Sequence, residues 1–237
     1  MRNNPEILIT AEISESLCQK ITAEKMHADL IPFIQTKPIK TREVQQQIEH
    51  ISTLNTTVIF TSSNAVEAVR EHLQNKKTAW KIFAVGNSTG SLVKEIFNEE
   101  AVIGVADNVL ALAEKVIQHK SFINEVYFFC GDKRRDELPA LLTENNIAVN
   151  EVEVYTTTIL QHKIKKDYDG ILFFSPSAVK GFFENNAVEK TTALFAIGNT
   201  TADEIKMFST NKIIISDKPG KQDLLNKVIE YFNARWF

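Results

Sequence analysis

The chain has 237 residues, 43% of them hydrophobic and 24% charged, enough to bury a core of its own without help from a metal or a disulfide. A formal net charge of −3 argues against nucleic acid and acidic membrane surfaces as partners, because a general polyanion binder carries a basic excess; an anionic ligand must be met by local donors. Cys18 and Cys130 lie in no C-x-x-C or Cys/His spacing and read as buried thiols, no apolar run approaches the roughly 20 residues of a membrane span, and no signal-like segment follows Met1, so the expectation is a cytoplasmic protein without a metal.

Short apolar runs bounded by turn residues recur along the chain, as expected of strands buried on both faces of a parallel sheet. Ile7 to Ile9 is the first, followed by the strand-like Ile31 to Gln35 and the polar stretch Thr36 to Thr41. Val58 to Phe60 leads through Thr61-Ser62-Ser63-Asn64 into a segment with Val66, Val69 and Leu73 at helical spacing. Ile82 to Val85 leads into Gly86-Asn87-Ser88-Thr89, and Leu112, Val116 and Ile117 mark another helix. Val126 to Phe129 precedes the basic turn Gly131-Asp132-Lys133-Arg134-Arg135, and Val152 to Thr157 holds Tyr155. Ile171 to Phe174 then leads into Ser175-Pro176-Ser177, Leu194 to Ile197 into Gly198-Asn199-Thr200-Thr201, and Ile213 to Ile215 closes the series.

These elements repeat. Val58 to Val66 matches Ile171 to Val179, Phe83 to Thr89 matches Phe195 to Thr201, and Lys115 to Ile117 matches Lys227 to Ile229. Glu6 to Ile9 resembles Glu125 to Phe128, and Ile31 to Thr36 resembles Val152 to Thr157. Two βαβα units predict two doubly wound domains with a cleft between them. They are joined either by one linker near Gln118 to Asn124 or by two, at Thr36 to Thr41 and at Thr156 to Lys163.

In an open parallel sheet, ligands collect at the carboxyl ends of the strands, where helices begin. Four recurring Ser/Thr/Asn turns sit at such ends. Each can simply cap its helix, and Thr200 with Asp203 resembles a capping box; together, four helix N-termini around one cleft would offer backbone N–H donors to carboxylate or phosphate. The basic triplet opposes a helix macrodipole, so it either meets an anion or is neutralised by Asp132, Asp136 and Glu137. Tyr155 is either a packed strand aromatic or a weak acid facing the cleft. The five histidines share no metal spacing, and the phosphate-loop, dinucleotide, nucleophile-elbow and zincin motifs are absent.

Six blocks, Phe60 to Val66, Ala84 to Thr89, Gly131 to Leu138, Val154 to Thr157, Phe173 to Val179 and Ala196 to Ala202, resemble in order those of the uroporphyrinogen-III synthase family. The resemblance implies two flavodoxin-like α/β domains joined by a two-stranded linker: residues 1–35 plus 158–237, and residues 38–155, with linkers near 36–41 and 155–163. It implies cyclisation of linear hydroxymethylbilane to uroporphyrinogen III with inversion of ring D and loss of water, by a monomer using no cofactor. Its substrate-binding positions would be Ser62, Ser63, Asn64, Gly86, Asn87, Ser88, Thr89, Gly131, Arg135, Ser175, Ser177, Ala178, Gly198, Thr200 and Thr201, with Tyr155 as candidate general acid. Family members often end the first strand with Thr-Arg-Pro. Here Thr10-Ala11-Glu12 stands instead, leaving Lys133 or Arg134 to supply the missing cation. The alternatives are a non-enzymatic two-domain protein that binds a small anion, and a receiver-like module, which would want more than one carboxylate after the first strand.

Overall fold

In a computed structural model, which describes residues 4–74 and 76–236, the apolar runs assemble into two sheets with helices on both faces. Met1 to Asn3, where a signal segment would begin, lie outside the described residues. In chain order the elements are β1 (Glu6–Ile9), α1 (Glu15–Ala23), β2 (His27–Leu30), β3 (Ile34–Pro38), α2 (Arg42–Ser52), β4 (Thr57–Phe60), α3 (Ser63–Leu73), β5 (Lys81–Val85), α4 (Asn87–Phe97) and β6 (Val102–Ala106). They continue with α5 (Val109–Gln118), β7 (Glu125–Gly131), α6 (Glu137–Glu144), β8 (Ala148–Ile159), β9 (Gly170–Phe173), α7 (Pro176–Phe183), β10 (Ala193–Ala196), α8 (Asn199–Lys206), β11 (Ile213–Ile215) and α9 (Lys221–Trp236).

The chain divides into two compact units, one of Met1–Gln35 with Thr158–Phe237 and one of Thr36–Thr157. In unit 1 the strand order is β11-β10-β9-β1-β2, and in unit 2 it is β3-β8-β7-β4-β5-β6. The first is a flavodoxin-like order when its strands are counted along the chain. The second has the same spatial order if β4, β5 and β6 stand for β9, β10 and β11, and β7 and β8 for β1 and β2. The sequence matches pair three of these, β4 with β9, β5 with β10 and β1 with β7, whereas the match of Ile31 to Thr36 with Val152 to Thr157 sets the stretch after β2, and not β2 itself, against β8. Each unit is therefore one copy of the repeat, permuted in chain order relative to the other.

The polar stretches expected to link the units are partly strand, because Thr36 to Pro38 belong to β3 and Tyr155 to Ile159 to β8, its neighbour in the sheet. Pro38 is tolerated because β3 is an edge strand, where a missing N–H breaks no ladder on its outer side.

Strand alternation assigns the cores. In unit 2, Val58 and Phe60 pack with α2, α3 and α4, while Ile59 faces α5 and α6 on the opposite side. In unit 1, Ile7 and Ile9 pack with α1 and α9, and Leu8 packs with α7 and α8. Each such fully buried aliphatic or aromatic side chain contributes about 1.5–3 kcal/mol relative to exposure.

Two sequence expectations change. Cys130 is buried, and burial, reinforced by Glu151, pushes its thiol up to about 12, so it stays neutral and unreactive. Cys18 is only half-buried, because Leu17 and Ile21 take the buried face of α1 and Cys18 lies beside it. The capping box at Thr200 does not form. Helix α8 starts two residues earlier than such a box requires, at Asn199 with Gly198 as N-cap, and Asp203 instead accepts from Lys206 at 2.8 Å.

Candidate functional site

Within unit 2, β4 ends under a turn in which extended Ser62 caps α3, its Oγ accepting from the Asn64 N–H at 3.2 Å. The next residue, Ser63, lies with its Oγ 3.3 Å from Thr89 Oγ1, so the first two predicted turns meet. Helix α4 begins at Gly86, whose φ of +82° requires glycine, and no side chain caps it. The first amides of α4, at Asn87, exposed Ser88 and buried Thr89, are thus left without a side-chain cap; the Asn87 side chain is outside the described residues.

The third contribution comes from β7 and β8. Tyr155 lies so close over Gly131 that a Cβ there would sit 2.8 Å from its phenol oxygen and closer still to the ring. Burial raises the Tyr155 phenol above its ordinary 10.0; a hydrogen bond with the Ser62 side chain opposes this, and Cys130 and Asp132 reinforce it. Tyr155, Ser62 and Gly131 stand where β4 and β7 are neighbours and their connections depart to opposite sides of the sheet, the place where such sheets bind ligands.

The basic triplet lies in the turn before α6, which starts at Glu137. Arg134 is held by Asp136 and Glu151, and Lys133 is 3.7 Å from Asp132. Arg134 is therefore committed to structure. Arg135 is exposed and makes no ion pair among the described residues, which leaves it the freest cation of this turn.

In unit 1, Ser175 caps α7 by accepting from the Ala178 N–H at 3.2 Å, with Pro176 in the first turn. The Ala178 amide is therefore already engaged, and Ser177 is half-buried. On the adjacent strand β10, Gly198 starts α8 without a side-chain cap, Thr200 is exposed and Thr201 buried. The two turns are side by side because β9 and β10 pair in register. Thr10, buried at the end of β1, donates from its hydroxyl to the Leu172 carbonyl at 2.7 Å and so closes the adjacent strand ends.

Sequence reasoning missed Lys221. Its Nζ donates to the Glu12 carbonyl at 2.7 Å and sits 6.0 Å from the Phe174 ring centroid, at the same carboxyl edge of unit 1. Although the residue is largely exposed, desolvation lowers its pKa. The signal was present, since a lysine after Pro219-Gly220 opens a helix as the basic triplet was expected to do.

Both units thus place capped and uncapped helix N-termini, hydroxyls and one accessible cation at the carboxyl edges of parallel sheets. The chain is 22% identical to uroporphyrinogen-III synthase of Schizosaccharomyces pombe, with 85% of this chain and 86% of that protein covered. Its fold matches a crystal structure of a mutant uroporphyrinogen III synthase from the extremely thermophilic bacterium Thermus thermophilus (TM-score 0.64, 13% identity, 97% of this chain and 98% of that one). It also matches uroporphyrinogen-III synthetase from Helicobacter pylori (TM-score 0.63, 17% identity, 96% and 99%). The family model described as uroporphyrinogen-III synthase HemD matches residues 15–226, nearly the whole chain, and the chain belongs to the uroporphyrinogen-III synthase family.

Proposed function

We propose that the chain cyclises hydroxymethylbilane to uroporphyrinogen III, with loss of water and inversion of ring D. The observation that carries the site assignment is the Tyr155 phenol, placed against Gly131 and Ser62 at the branching point of the unit 2 sheet. In unit 2 the uncapped first-turn amides that follow Gly86, with Arg135, and in unit 1 those that follow Gly198, with Lys221, each suit carboxylate groups such as the acetate and propionate arms of a tetrapyrrole. Tyr155 protonates the hydroxymethyl oxygen, the C–O bond breaks and water leaves, giving an electron-poor azafulvene. Ring D then attacks it through its substituted carbon; the older bond from that carbon to the neighbouring methylene breaks, the methylene rebonds at the free α-carbon of ring D, and the proton lost there balances the one that left with water. The same intermediate closes without help to the type I isomer, so the main task of the protein is to hold the near-attack geometry, which contributes up to roughly 7–11 kcal/mol.

We read the active form as a cytoplasmic monomer. Among the described residues no helix is long and apolar enough to cross a membrane. Purified protein given hydroxymethylbilane freshly made from porphobilinogen is expected to yield mainly the type III porphyrin after oxidation and chromatography. Type I isomer at the spontaneous rate would reduce the chain to a binder of anions.

A further inference from the structure

We infer that Asp132 is a positioning residue for Tyr155, clasping β8 from the end of β7 so that the phenol stays over Gly131. The proposal rests on the reading of Tyr155 as the acid. Its geometric basis is a break in strand register. Along most of their length β7 and β8 pair residue for residue, up to Cys130 with Glu153, and then Gly131 faces Tyr155, with Val154 passed over. Such a bulge turns the following side chain out of the regular alternation, and bulges are common where a side chain has to be re-aimed.

Two hydrogen bonds from one residue lock the re-aimed segment. The Asp132 backbone N–H donates to the Tyr155 carbonyl at 3.2 Å, and the Thr157 N–H donates to Asp132 Oδ1 at 2.8 Å. Asp132 therefore holds β8 both at Tyr155 and two residues beyond it. Gly131 completes the device, since any side chain there would occupy the space of the phenol ring. Arg134, paired with Glu151 of β8, ties the same turn to the strand before the bulge. The described groups acting on the phenol are Ser62, Cys130 and Asp132, and of these only Asp132 carries a charge at neutral pH. Its charge disfavours the ionised phenol, so removing it should ease ionisation.

The test compares Asp132→Ala, Asp132→Asn and Tyr155→Phe, singly and combined, each checked for folding by circular dichroism. Asp132→Ala is expected to lower kcat by about tenfold or more, the scale on which small misplacements act, with little change in KM. Asp132→Asn should recover much of this, because its amide oxygen can accept the Thr157 N–H. In the Tyr155→Phe background, Asp132→Ala should add little further loss, as expected of a residue acting through another. Both Asp132 variants should also lower the alkaline midpoint of Tyr155 ionisation, read by ultraviolet difference absorbance against the Tyr155→Phe protein. Full additivity of the two losses, or an Asp132→Asn enzyme as slow as Asp132→Ala, overturns the positioning role. A Tyr155→Phe enzyme with unchanged kcat overturns the acid assignment instead, and equal ionisation midpoints in Asp132→Ala and Asp132→Asn then overturn the hold on the phenol, because both remove the charge and only Ala removes the acceptor for the Thr157 N–H.

Discussion

Tyr155→Phe is expected to lower kcat at least tenfold, within reach of the ~10²–10⁴-fold that a positioned general acid contributes, with the folded state retained. The substitution removes one oxygen and keeps the ring that packs on Gly131, so the loss reports on the proton and not on the packing. Protonation is needed because hydroxide is a poor leaving group and water a good one. The phenol suits this task at neutral pH. Burial holds its pKa above 10.0, so it is protonated throughout the physiological range, and the hydrogen bond with the Ser62 side chain favours the phenolate that forms. The sign of the pH dependence follows. Activity that depends on this proton is present at neutral pH and is lost only as pH rises through the raised pKa, so an alkaline limb above pH 10 should vanish in Tyr155→Phe. Single-turnover measurement of bilane consumption across pH checks both statements. A rate equal to that of the parent at every pH would assign the proton donor to a substrate carboxyl or a bound water.

The sequence showed the repeat and the strands but left the linkage open, for a physical reason. Every match runs from the first half of the chain to the second, as a simple tandem duplication would also give, and only the pairing of β1 with β9 and of β4 with β7 makes the two copies permuted. A single linker near Gln118 to Asn124 fails because α5 and β7, on either side of it, belong to the same unit. That a hydroxyl of each Ser-rich turn caps its helix was legible, because short hydroxyl side chains after a buried strand suit that use, but which of Ser62 and Ser63 does so was not, and the structure gives Ser62. The glycine starts at Gly86 and Gly198 were read among Ser- and Thr-rich caps, and the structure shows amides that no side chain covers. Local patterning offered Asp136 and Asp132 as neutralisers of the basic triplet, but the cross-strand roles of Arg134 and Asp132 were out of its reach. Their partners Glu151 and Thr157 lie on the next strand, and the pairing that brings them together includes a bulge that no alternation rule anticipates.

Phe60→Ala is expected to destabilise unit 2 by about 3–5 kcal/mol, the usual range for removing a buried phenylalanine. Phe60 is fully buried and stacks on Phe129 at 5.3 Å and Phe97 at 5.9 Å between centroids, and Trp80 packs on the same two rings at 5.5 Å. The flat rings are close-packed and supported on both faces of the gap, so the space left by the missing ring cannot easily collapse. Trp80 gives the measurement. The chain has two tryptophans, and a Trp236→Phe background leaves Trp80 as a fluorescent reporter beside the cavity. The buried clusters of unit 1 share no residue with this one, so denaturant unfolding should show the Trp80 transition moving to lower denaturant, while the part of the circular dichroism change that belongs to unit 1 keeps its midpoint. Because Phe60 directly precedes Thr61 and Ser62, loosening its stack also releases the turn that is hydrogen-bonded to Tyr155, and kcat should fall even where the protein remains folded. A shift worth less than about 1 kcal/mol would mean that the aromatic stack repacks around the gap, a cost closer to a tolerated volume-conserving exchange, and the site would then not depend on this layer of the core.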